Sequence, residues 1–225
     1  MVKPLFDITA FSLLDYPNKA ACIFWFVGCN MRCRYCYNPD IVLGKGKIAI
    51  AEAERFLQAR RGLLQAVVMS GGECSLHGDL LSLARIAKAL GYLVKIDTNG
   101  ASPQNLQMLI DQGLVDYVAL DFKALAPKFP EVTGVTSFTS FETSLTILQS
   151  ANIPFEVRTT VHSESLTKAD IQEMIDYLIE KQYGGTYYLQ LALNDVKMLS
   201  ELSHSAYTIG NLSFESTAIP VVVRG

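Results

Sequence analysis

Hydrophobic positions follow two rhythms along this chain. Six short runs, residues 20–27, 66–70, 93–98, 117–121, 155–161 and 187–192, are nearly continuous blocks rich in Val, Ile, Leu and aromatic residues. Such blocks predict parallel strands buried on both faces. Between them, residues 50–61, 79–90, 103–112, 140–151 and 168–182 carry apolar side chains at helical spacing. Ser102 before Pro103 predicts an N-cap followed by proline at the first helical position. Gly91 and Gly113 fall just past two helices, where a terminating glycine belongs. The tail, residues 203–225, is weakly patterned and reads as a C-terminal extension with one more strand candidate at 219–223. No linker, low-complexity tract or short repeat interrupts the pattern, so residues 1–225 read as a single domain.

Six β-α alternations imply a parallel sheet with crossover helices. The pattern alone leaves open a partial barrel or a doubly wound open sheet. Either architecture places chemistry at the C-terminal strand ends. The first five ends are Gly28-Cys29, Ser70-Gly71-Gly72-Glu73, Asp97-Thr98-Asn99-Gly100, Asp121-Phe122-Lys123, and Arg158 leading to His162. Polar, charged or glycine-rich groups at five successive ends predict one shared site.

Composition narrows the setting. Half of the 225 residues are hydrophobic and the net charge is −3, which allows a sizeable core and offers no basic surplus for nucleic acid. The longest apolar stretch, 20–27, is too short to span a bilayer, and the N-terminus lacks a signal-peptide pattern. A cytoplasmic location is the expectation. Of five cysteines, three crowd into one short loop, which argues for metal rather than a disulfide framework.

That loop, residues 28–38, holds Cys29, Cys33 and Cys36 in C-x3-C-x2-C spacing. Thiolates are the usual ligands of iron–sulfur clusters, and a closed four-iron cluster takes four. Three together would leave one iron open to bind something else. A structural zinc site is the competing reading. It needs a fourth ligand from Cys22, Cys74, His77, His162 or His204, none at zinc-finger spacing from the trio.

The segment GCNMRCRYCYNPD resembles the signature of the radical S-adenosylmethionine (SAM) superfamily, CxxxCx(aromatic)C. FSLLDYPNKAACIFWFVGCN, MSGGECSL, GYLVKIDTNG, LVDYVALDFKA and VRTTVH follow in the same order as in its glycyl radical enzyme activating proteins. The similarity is strongest to the anaerobic ribonucleoside-triphosphate reductase branch and more distant to pyruvate formate-lyase activating enzyme. It covers roughly residues 8 to 165, and more loosely extends to about 195. The resemblance implies an α/β fold of partial (β/α)6 TIM-like barrel type and an enzyme carrying a single [4Fe–4S] cluster and SAM. In such enzymes the reduced cluster cleaves SAM to a 5′-deoxyadenosyl radical, which here would abstract hydrogen from a glycine of a partner enzyme. A flavodoxin- or ferredoxin-type protein would supply the electron.

Carried over by position, Cys29, Cys33 and Cys36 would ligate three irons. Tyr35 would contact the adenine, with the Cys36-Tyr37 backbone lining the cofactor. Gly71, Gly72 and Glu73 would hold the methionine ammonium, although glycines there also suit an ordinary strand-to-helix turn. Asp97 and Asn99 would reach the methionine or ribose, and Lys123, after Asp121, the carboxylate. Arg158 is either a further carboxylate contact or a structural ion pair, and Gln190 a contact from the sixth strand. The sequence departs from the common GGEPT pattern in having Cys74 after Glu73. Two other readings stand beside activation: a radical enzyme acting on a small molecule, such as one making deazapurines, and a non-catalytic metal- or nucleotide-binding regulator.

Overall fold

The computed structural model describes residues 3–214 and 218–225. Among these residues eight strands form one sheet in chain order: β1 (Leu5–Ser12), β2 (Ala21–Phe26), β3 (Ala66–Gly71), β4 (Leu93–Thr98), β5 (Tyr117–Asp121), β6 (Phe155–Val161), β7 (Tyr187–Leu191) and β8 (Val221–Arg224). Strands β2 to β8 run parallel, and β1 pairs antiparallel with β2. Among the described residues β1 and β8 do not pair with each other. The sheet is therefore an open, partial barrel.

The six expected strands are β2 to β7, and the tail strand forms as β8, slightly later than its candidate. Strand β1 was not expected. It lies at the sheet edge with only Leu5 buried, so its residues never had to become an uninterrupted apolar block.

Among the described residues seven α-helices accompany the strands: α1 (Pro39–Leu43), α2 (Ile50–Ala59), α3 (Asp79–Ala89), α4 (Pro103–Asp111), α5 (Phe129–Thr133), α6 (Thr139–Ser150) and α7 (Lys168–Glu180). Helices α1 and α5 are five residues each, too short for a 3.6-residue period to show. Helices α3 and α4 end alike. Gly91 and Gly113 have φ of +88° and +63°. Gly91 N–H donates to the Lys88 carbonyl and Tyr92 N–H to that of Ala87; Gly113 and Leu114 repeat this on Ile110 and Leu109. These are paired Schellman bonds. Ser102 does precede Pro103 at the start of α4, but its hydroxyl makes no capping bond. At α7, Thr167 Oγ1 accepts from Asp170 N–H, and the Asp170 carboxylate accepts from Thr167 N–H in return, a capping box.

The two faces of the sheet bury different things. Cys22, Phe24, Phe26, Val67, Met69, Val94, Ile96, Val118 and Leu120 belong to the main core, which includes Leu80, Leu83, Leu106, Leu148 and Leu178 of the helices. Alternate residues on the other face form a smaller cluster of Tyr16, Ala21, Ile23, Ala66 and Val68. Farther along that face, toward the strand C-termini, the same alternation delivers Asp97, Asp121, Arg158 and Gln190. Burial on both faces at the N-terminal halves explains the continuous apolar runs.

Candidate active site

The three cysteines sit in the loop between β2 and α1. Met31, Cys33 and Tyr35 alternate inward while Arg32 and Arg34 point out. Arg32 Nη1 donates to the carbonyls of Cys29 and Met31 at 2.7 and 2.8 Å, and its N–H donates to the Thr133 carbonyl at 2.7 Å. The loop is thus shaped before any ligand arrives. Burial, aided by the nearby Glu73 charge, pushes the Cys29 thiol up to about 12, and burial also raises Cys33. Metal ligation must displace those protons.

The double glycine after β3 is required by contact with this loop. A Cβ on Gly72 would lie 1.9 Å from the Gly28 carbonyl oxygen. One on Gly71, at φ +122°, would lie 2.3 Å from that of Phe26. Glu73 N–H then donates to the Gly28 carbonyl at 2.9 Å. Its side chain is engaged within the protein. The carboxylate is buried and accepts from Ser75 N–H at 3.0 Å, Thr98 Oγ1 at 2.6 Å and Asn99 N–H at 2.6 Å. It ties the β3 and β4 turns together, leaving Gly71 and Gly72 to border the cavity. Burial raises its pKa despite these bonds. Asn99 continues the tie, donating from Nδ2 to Asn30 Oδ1 at 3.0 Å.

An open cavity of about 200 Å³ lies at the strand ends. It gathers Cys29, Cys33, Cys36, Tyr35, Tyr37, Gly71, Gly72, Asp97, Asn99, Asp121, Lys123, Arg158 and Gln190, which is every anticipated residue except Glu73. Asp15, Trp25, Ser70 and Thr160 also line it. The alternation that places Asp97 on this face also places Trp25, Ser70 and Thr160 there, so period-2 counting would have found them. Asp15 comes from the β1–β2 connection and carried no such signal.

A buried ionic network forms one wall. Arg158 bridges Asp121 Oδ1 (2.6 Å from Nε) and Asp97 Oδ2 (3.2 Å from Nη2), Lys95 pairs with Asp97 at 2.7 Å, and Lys123 with Asp121 at 3.1 Å. Burial pushes the Asp97 carboxyl upward, but Arg158 and Lys95 outweigh it and hold the group down at about 2. Asp121 is lowered in the same way by Arg158 and Lys123. Burial opposes the Lys123 charge, yet Asp121 beside it keeps the ammonium above the usual lysine range. Three cations face two carboxylates, so one positive charge is left for an anionic ligand group. Arg158 is thus held in ion pairs and also lines the cavity.

The remaining polar residues are structural. His77 Nε2 meets the Val27 carbonyl at 2.6 Å, and the buried His162 accepts from Glu164 N–H and reaches the Ser203 carbonyl. His204 pairs with Asp195 at the surface. The buried Cys74 thiol donates to the Met69 and Asp97 carbonyls.

Three thiols on one loop are a donor set that suits an iron–sulfur cluster, one thiolate to an iron. The Tyr35 hydroxyl is buried without a partner and awaits one. A parallel β/α half-barrel with three thiols and a charged cavity at its strand ends is the scaffold of a cofactor-dependent enzyme. Residues 23–187 match the Radical SAM superfamily, and the chain belongs to it, an enzyme family whose cofactors are a [4Fe–4S] cluster and SAM. A Methanocaldococcus jannaschii protein, whose name places it among glycyl-radical enzyme activating enzymes, is 34% identical over 74% of this chain and 72% of its own length. The pyruvate formate-lyase-activating enzyme of Streptococcus mutans is 30% identical, and the match spans 52% of this chain and about half of that enzyme (49%). Streptococcus suis SuiB bound to S-adenosylmethionine shares the fold, with a TM-score of 0.66 at 14% identity over 88% of this chain and 48% of SuiB. Among the described residues no helix is long and apolar enough to cross a membrane.

Proposed function

We propose that this enzyme activates a glycyl radical enzyme, with an anaerobic ribonucleotide reductase as its partner, by removing hydrogen from a backbone glycine. The single observation that carries the reading is the 34% identity maintained over 72% of the Methanocaldococcus jannaschii relative. When bound, the reduced cluster and SAM supply a carbon-centred radical by reductive cleavage of the sulfonium.

The chain's own residues do the rest. Cys29, Cys33 and Cys36 hold the cluster. Lys123 and Arg158, in a network whose three cations (with Lys95) exceed its two aspartates by one charge, bind the methionine carboxylate. The Gly71-Gly72 backbone gives close approach to the amino end. Tyr35 supplies a ring and an unpaired hydroxyl at the cavity wall. Thr160, Gln190 and Ser70 make no side-chain hydrogen bonds within the described residues and line the cavity, free to meet a peptide backbone. Because β1 and β8 do not pair, the sheet leaves a side by which a partner's loop can enter.

The test is anaerobic reconstitution with iron and sulfide, reduction with dithionite, and assay of 5′-deoxyadenosine, followed by electron paramagnetic resonance after adding an anaerobic ribonucleotide reductase. The expected result is 5′-deoxyadenosine that disappears in Cys33→Ala, and a glycyl radical doublet on the partner. Nucleoside formation without any protein radical would overturn the activation reading.

A further inference from the structure

Reductive cleavage of SAM consumes an electron, and the substrate cavity cannot be the only approach to the cluster if a large partner fills it. The chain between β7 and β8 supplies another approach. Its residues 199–200 run against the cysteine loop: Leu199 N–H donates to the Cys36 carbonyl at 2.9 Å, and Ser200 N–H to the Arg34 carbonyl at 3.2 Å. Leu199 also lines a separate surface groove together with Met198, the exposed Leu43 of α1 and three exposed lysines, Lys45, Lys47 and Lys197. One wall of this groove is therefore a single hydrogen bond from a cluster ligand.

The groove's charge contrasts with that of the whole molecule. The chain carries −3 overall, yet three lysines border the groove against one carboxylate, Asp40, which pairs with Lys197 at 2.7 Å. Arg34 on the cysteine loop, 46% exposed, is paired with Glu164 at 3.9 Å and adds no net charge to the groove. The apolar floor is small and the rim basic, the arrangement of a transient, charge-steered interface.

We propose that this groove, between α1 and residues 197–199, docks an acidic one-electron carrier protein. The inference rests on the radical SAM reading and adds where the electron enters. One electron leaves the carrier, which is oxidised by one unit, and enters the cluster, which is reduced by one unit; no atom or proton is transferred. The carrier's acidic face meets Lys45, Lys47 and Lys197, on the side of the cysteine loop formed by α1 and the β7–β8 connection.

The test uses the reconstituted enzyme, its Lys45→Glu/Lys197→Glu variant and the milder Lys45→Gln/Lys197→Gln variant, with a flavodoxin as the probe. Calorimetric binding to flavodoxin is expected to weaken about tenfold in the double Glu variant at low salt, less in the Gln variant, and to lose most of its salt dependence. Nucleoside formation driven by flavodoxin should fall in parallel, while dithionite-driven formation stays at the wild-type level. Flavodoxin binding that is absent in the wild type, or unchanged with unchanged salt dependence in the variants, overturns the proposal. So does a selective loss of affinity for the ribonucleotide reductase, which would give this face to the other partner. Failure of the dithionite reaction in the wild-type enzyme would instead count against the radical SAM function. If the Glu variant does not fold, the Gln variant decides on the same readouts.

Discussion

At the scale of single residues, the site depends on two side chains that tie its turns together and one side chain that must not exist. Position 72 tolerates nothing beyond hydrogen, because the obstacle is the backbone carbonyl of Gly28 rather than a movable side chain. Gly72→Ala should force the β3 turn off the cysteine loop. The expected outcome is a folded protein that retains less iron and acid-labile sulfide after reconstitution; wild-type cluster content would contradict the packing argument. Glu73 and Asn99 then hold the turns in place. Each carboxylate oxygen of Glu73 accepts at least one backbone N–H, Ser75 on Oε1 and Asn99 on Oε2. Glu73→Gln therefore sets an amide NH2 against a backbone donor in either rotamer. We expect a loss of about 1–3 kcal/mol, the cost of a buried donor left unsatisfied, measured by urea unfolding of the two proteins side by side.

Elements differ in how visibly the sequence encodes them, and the reasons are physical. Strands β2 to β7 show as continuous apolar runs because both faces are covered, and the Gly91 and Gly113 stops show because only glycine sits comfortably at their positive φ. Strand β1 is hidden, since an edge strand needs neither uninterrupted apolarity nor a buried outer face. At the site, the charged and glycine residues stand out because they interrupt apolar runs at strand ends. The direction in which Glu73 points was not readable, because a buried carboxylate satisfied by backbone N–H groups looks the same in sequence as one awaiting a ligand. The groove beside α1 was equally hidden, being made by a distant segment folding back on the cysteine loop. Helix α7 offers a test at this scale. Its start rests on the reciprocal Thr167–Asp170 bonds. Thr167→Ala should cost about 1 kcal/mol, read as a lower urea midpoint with an unchanged slope.

For the whole molecule, three strands of the sheet are joined on one face by the network of Lys95 and Asp97 on β4, Asp121 on β5 and Arg158 on β6, with Lys123 just beyond β5. Burying so much charge is tolerable only while every member is paired. That gives stability a definite pH dependence. Asp97 titrates at about 2 in the folded chain, below the roughly 3.9 of an unfolded aspartate. Its folded pKa is depressed, so its contribution is complete above the unfolded value and is lost as pH falls through the folded one. The difference corresponds to about 2–3 kcal/mol. Asp121 is shifted in the same direction and adds to the loss. Urea unfolding of the cluster-free protein at a series of pH values should show stability falling steeply below about pH 4. Asp97→Asn should be less stable at pH 7, because Lys95 and Arg158 lose a shared counter-charge. Its acid slope should also be shallower, because one of the depressed carboxylates is gone. A variant that matched the wild type in both respects would mean that the network does not act as a unit, and the positive charge left over for an anionic ligand would have to be traced to other residues.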